Sequence, residues 1–166
     1  MNQLQQNFDE YRIQMEKGIL PQAYKGLMEY ILSLRTHFAN RYPHFSVPGS
    51  IYFGYMDMTY FSLLPEELKA RKLKIAVVFI HATCRFEVWL SAVNKQVQAR
   101  YWEFFKQSGW GKYHLVPAIQ GADSILEQVL DDHPDFSDLD ALTKKIESGT
   151  VDFIDNVISF LNKSGQ

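Results

Sequence analysis

The sequence predicts an α+β domain: a mainly antiparallel sheet of four to five strands, packed by an N-terminal helical pair, a central helix and C-terminal helices. Three observations lead there. Apolar residues recur at helical spacing near both ends of the chain. The middle carries short runs rich in β-branched and aromatic residues. Those runs lie close together in sequence, which suits hairpins and leaves no room for parallel crossovers. With 166 residues, 46% of them hydrophobic, residues 1–166 are expected to form one domain with one core.

The elements follow in order. Leu4, Phe8, Tyr11 and Met15 make one helical stripe, and Gly18 ends it. Pro21 suits the first turn of a second helix. That helix carries Ala23, Leu27, Ile31, Leu34 and Phe38, and Pro43 terminates it. In "SVPGSIYFGYMDMTYFSLLP" the period changes. Ile51, Phe53 and Tyr55 alternate with Tyr52, Gly54 and Met56, which reads as a strand, and residues 59–64 read as its partner. A short helical turn is expected around Pro65 to Leu68. Residues 73–80 and 85–90 form the next hairpin, linked through Ala82, Thr83 and Cys84. The first of these is apolar on both faces from Ile75 to Ile80, as a central, covered strand should be. Ser91 is expected to cap a helix with Val93, Val97, Tyr101, Phe104 and Phe105 inward, closed by Gly109 and Gly111. Residues 113–118 read as a short edge strand because of Pro117. Asp123 is expected to start a short helix containing Ile125, Leu126, Val129 and Leu130. Ser137 and Asp140 resemble a capping arrangement for a helical stretch reaching Leu161. Gly149 leaves one helix or two open.

Composition narrows the partners. The formal net charge is −2, so no global field selects nucleic acid. Cations gather between Lys69 and Lys112 and carboxylates between Asp123 and Asp140, read as solvated faces of opposite sign. Cys84 is the single cysteine, which excludes an intrachain disulfide and a cysteine zinc cage and fits a reducing compartment. "MNQLQQNFDEYRIQ" lacks the apolar core of a signal peptide, and no apolar run approaches the roughly 20 residues of a membrane span. A soluble, cytoplasmic protein is expected, with no metal and no cofactor. Trp102 and Trp110, left over from the helical stripe, suggest an exposed patch or a homodimer contact.

Chemistry concentrates in "KIAVVFIHATCRFEVWLS". Strand alternation puts Arg85, Glu87 and Trp89 on one face, and Phe86, Val88 and Leu90 on the other. His81 ends the preceding strand, and Asp57 and Tyr60 come from the first hairpin. One reading is a polar-aromatic pocket on the open side of the sheet that takes a small molecule or peptide, with Tyr52, Tyr60 and Trp89 as walls. In its enzymatic version Glu87 or Asp57 is a general base, His81 an acid or base, and Arg85 an anion clamp. The plainer reading makes Arg85 and Glu87 an internal ion pair. A metal-dependent hydrolase or nuclease using Asp57 and Glu87 is an alternative, although Trp89 stands where such a nuclease motif places lysine. Self-association is a third. Cys84 reads as an inert turn cysteine.

The stretches "GYMDMTYFS", "LKIAVVFIH" and "RFEVWLSAVNKQVQ" resemble an uncharacterised bacterial family, a domain of unknown function found as small stand-alone cytoplasmic proteins. The likeness runs from about Ala23 to the C-terminal helices and is most specific at "RFEVWL" and the following Asn94. It implies that Asp57, Arg85, Glu87 and Asn94 act together, and it implies no established activity.

Overall fold

A computed structural model describes residues 2–166. The chain divides into two compact units, Met1–His37 and Phe38–Gln166.

In the first unit, helix α1 (Gln3–Lys17) begins at Asn2, whose side chain accepts from the Gln5 amide. It ends at Gly18, which takes the left-handed conformation at φ 76°. Helix α2 (Ile19–Arg41) follows at once and runs on into the second unit. No residue of α1 is buried. Leu4, Phe8, Tyr11 and Met15, the expected stripe, are all exposed.

The second unit holds the sheet. Its strands are β1 (Met58–Leu63), β2 (Leu73–Ile80), β3 (Arg85–Ala92), β4 (His114–Leu115) and β5 (Leu126–Asp131). Helix α3 (Glu66–Ala70) joins β1 to β2, α4 (Lys95–Ser108) follows β3, and α5 (Leu139–Lys163) follows β5. All pairings are antiparallel, in the order β1-β2-β3-β5-β4. One face of the sheet is closed by helices. Phe61, Leu63, Ile75, Val77, Phe79, Phe86, Val88 and Leu90 lie there, all buried. α4 and α5 both contact β3, and they contribute Tyr101, Phe105, Ile146, Phe153 and Val157 to the core. Trp110 is part of this packing, stacked on Phe160 with ring centroids 4.2 Å apart, and Trp102 donates to the Val116 carbonyl at 2.8 Å. Among the described residues no helix is long and apolar enough to cross a membrane.

Four expectations need correction. Residues 51–55 are no strand; Tyr52 alone bridges to Tyr60, and the rest is an irregular loop turned by positive φ at Gly54 and Met56. Ile125 to Leu130 form no helix but lead into and occupy β5. The doublets Ile125-Leu126 and Val129-Leu130 do fit a helical period. However, β3 has a second edge whose backbone groups need partners, and a strand supplies them where a helix cannot. An extra residue at Leu130 bulges β5 between the pairs Glu87↔Val129 and Phe86↔Asp131. Asn94, not Ser91, caps α4; Ser91 lies within β3. Asp138 caps α5 through the Ala141 amide.

α5 runs unbroken through Gly149 for 25 residues. The glycine is there for space, since a methyl group at this position would stand 2.6 Å from Leu130 Cδ2. Alanine favours a helix over glycine by about 1 kcal/mol, but overpacking a core costs about 1–3 kcal/mol. Gly149→Ala is therefore expected to destabilise in urea unfolding, and Leu130→Val in the same chain to recover part of the loss.

Candidate functional site

The uncovered face of the sheet is set by register. Row by row it presents Met58–Ile80–Arg85, then Tyr60–Val78–Glu87–Val129, then Ser62–Ala76–Trp89–Glu127, and at the α4 end Lys74–Ser91. Tyr60 and Trp89 stand two strands and one row apart, roughly 12 Å between their Cα atoms. Between them lies Ala76, the smallest side chain on this face of β2. Two large aromatic walls over a methyl floor leave a cleft of about 420 Å³.

The loop before β1 completes it. Tyr52 exchanges backbone hydrogen bonds with Tyr60 at 2.9 and 3.0 Å, and the two rings lie 5.1 Å apart. Partial burial, followed by the nearness of Asp57, Tyr55, Tyr60 and Asp123, raises the Tyr52 hydroxyl above its ordinary pKa. Asp57 lines the cleft and also braces the loop, because its Oδ1 accepts from the Tyr55 amide at 2.8 Å. Backbone donors at Tyr55 and Met58 hold its carboxyl below the usual range. At the α4 end the cleft is lined by Lys74, Asn94, Gln98 and Asp123.

Arg85 and Glu87 stand elsewhere. Glu87 is 4% exposed and takes two donors, Arg85 Nε at 2.9 Å and Trp89 Nε1 at 3.2 Å. Together with His114 and Glu127, Arg85 and Glu87 line a second, smaller cavity of about 230 Å³. The pair forms the internal bridge of the plainer reading, and it also fixes the Trp89 indole by its N–H. Glu87 therefore acts on the cleft through the orientation of its wall.

His81 lies on the opposite, helix-covered face. It packs edge-on against Phe79, and its Nε2 is 2.9 Å from Thr59 Oγ1. The Thr59 hydroxyl donates to the Phe53 carbonyl at 2.7 Å, so Nε2–H of His81 is the donor to Thr59. The His81 backbone amide also donates to the Asp57 carbonyl. His81 thus ties the Tyr52 loop down from behind. Of the seven residues singled out from sequence, Asp57, Tyr60, Trp89 and Asn94 meet in the cleft, while Arg85, Glu87 and His81 support its walls. Lys74, Ala76 and Gln98 escaped notice. Ala76 and Lys74 were legible as the other members of the Trp89 and Ser91 rows; Gln98 depends on a loop no pattern predicts.

The loop should respond to acid in two stages. Burial lowers the His81 pKa against a smaller opposing pull from Asp57. The unfolded chain therefore binds the proton more readily, and this contribution to stability is present above about pH 6.5 and lost as pH falls below it. Asp57, with its depressed value, holds until pH falls through the carboxylate range. The protection factors of the Tyr52 and Tyr60 amides, taken against intrinsic exchange at each pH by NMR, are expected to fall first below about pH 6.5, and His81→Gln to abolish that first step.

Among the described residues no three His, Cys, Asp or Glu side chains form a group able to hold a metal ion. Cys84 is exposed on the β2–β3 turn, with Sγ 3.4 Å from the His81 carbonyl. No curated protein and no solved structure matches the chain. A family pattern does match, over residues 4–161, and the chain accordingly belongs to the family described as Domain of unknown function (DUF7000).

Proposed function

We propose that this protein binds a small organic molecule on the open face of its sheet, between Tyr60 and Trp89 and over Ala76. The observation that carries the reading is the cleft itself. Its volume of about 420 Å³ falls in the range of small-molecule sites, and its aromatic walls are joined by a few convergent polar groups. The exposed, lone thiol of Cys84 suits a cytoplasmic setting. A hydrolase built on Asp57 and Glu87 has less support, because the two line different cavities and Glu87 is engaged by Arg85 and Trp89.

Mass spectrometry of protein purified from its own host is the direct test. One organic compound should accompany the wild type and be absent from Ala76→Leu, whose added side chain fills the floor while its melting temperature stays close to that of the wild type. A compound retained equally by Ala76→Leu, or none above background in the wild type, would sink the reading.

Self-association is a second reading, carried by α1. A 15-residue helix with no buried residue lies at the margin of stability in water, and its exposed Leu4, Phe8, Tyr11 and Met15 would be covered by α1 of a second copy. A monomeric mass by light scattering at high concentration would rule it out.

A further inference from the structure

We infer that the molecule held in the cleft is a flat-ringed organic anion that also carries an N–H or O–H donor; this rests on the small-molecule reading above. The polarity of the α4 end decides it. Lys74 lies two residues before Ala76 on the same face of β2 and is half-buried in the cleft lining. No carboxylate among the described residues comes within ion-pairing distance of it. Lowering a neutral ring over that ammonium would strip its water and return only a cation–π contact of about 0.5–2 kcal/mol, whereas an anion restores a full charge interaction in a medium of reduced dielectric.

Two amides in the cleft lining are each held by one end. Gln98 is 4% exposed, and its Nε2 donates to the carbonyls of Ala122 at 3.0 Å and Ser124 at 3.1 Å. Both protons are engaged by carbonyls, so the amide cannot be reversed. Among the described residues its Oε1 has no donor and is not a sealed unpartnered atom, and since Gln98 lines the cleft this oxygen is the acceptor it can offer there. Asn94 is locked the other way. Its Oδ1 accepts from the Val97 amide at 2.9 Å, which leaves the NH₂ group as the free end. Lys74 and Asn94 therefore present positive charge and a donor, and Gln98 presents an acceptor. Trp89, with its N–H turned to Glu87, offers only its ring face.

The cleft also has carboxylates at Asp57 and Asp123, which would suit an organic cation held among aromatics. Both are exposed, and Asp57 already accepts backbone donors, so solvent screens them more than it screens Lys74.

Calorimetric titration with indole-3-acetate, indole-3-acetamide and tryptamine separates these cases, since the three share a ring and differ in charge. The anion is expected to bind tightest, by about tenfold or more over the amide. Lys74→Met should erase that preference, bringing the anion down to the affinity of the amide. Equal or tighter binding of the amide or tryptamine, or a preference that survives Lys74→Met, overturns the anionic class while the cleft remains a ring-binding site. Binding of none of the three overturns the anionic-ring class, while the co-purified compound and its loss in Ala76→Leu decide the small-molecule reading separately.

Discussion

Glu87→Ala should cost the fold about 2–4 kcal/mol. The carboxylate is nearly sealed, and two donors converge on it: Arg85 at 2.9 Å and Trp89 at 3.2 Å. Removing it strands both. The estimate stays at the lower end of what a buried pair can lose because the Arg85 side chain is 37% exposed, so water recovers part of its charge. Trp89 is itself only partly buried and stands beside Glu127 in its row, so its N–H too regains part of what it loses. Glu87→Gln keeps an oxygen for the indole but turns its NH₂ toward the Arg85 Nε–H, so it loses that hydrogen bond and the charge opposite Arg85 while only one donor is stranded, and it should cost less than alanine. Urea unfolding measures both. The emission maximum of the native state supplies a second readout, since a released Trp89 ring should shift it in the alanine variant and not in the glutamine variant. A loss below about 1 kcal/mol for Glu87→Ala would show that the bridge does not hold the wall.

Gly54→Ala is expected to dismantle the Tyr52 side of the cleft. The glycine sits at φ 77°, where an L-residue loses roughly 1–2 kcal/mol. Space is the harder limit: a Cβ there would lie 2.1 Å from the Met58 carbonyl oxygen and 2.5 Å from Asp57 Oδ1. The first is backbone at the start of β1 and has no rotamer to escape into. The loop must refold, and with it goes the Tyr52–Tyr60 bridge. Amide exchange at Tyr52 and Tyr60 should lose its protection while that of Val77 and Val88, in the sheet centre, is kept. Unchanged protection at Tyr60 would mean the loop tolerates the methyl group and does not depend on this turn.

How much of this was legible in the sequence differs by element. Residues 73–80 and 85–90 read correctly as a hairpin because a run apolar on both faces, too short and too β-branched for a helix, has few other solutions. The face carrying Glu87 and Trp89 followed from alternation alone. β5 did not, because Ile125, Leu126, Val129 and Leu130 satisfy a helical period, and only the unpaired edge of β3 decides against it. The strand expected at 51–55 failed for a related reason: aromatic alternation looked right, but Gly54 and Met56 adopt positive φ and break the ladder after one bridge. The site was half visible. Its aromatic walls stood out as large residues, whereas the feature that makes room between them, Ala76, is small and passes unnoticed until neighbouring strands are set in register. His81 was placed near the cluster by proximity along the chain, yet the two-residue step from Phe79 sends it to the other face.

β5 lies between β3 and β4, although it is made after both. A nascent chain can close β1, β2 and β3 into a meander as soon as Ala92 has emerged, but the far side of that meander stays a naked template until Leu126–Asp131 arrive. During synthesis this interval is the chain's most vulnerable to pairing with a stranger, and the charged Arg85 and Glu87 along that border are well placed to discourage it.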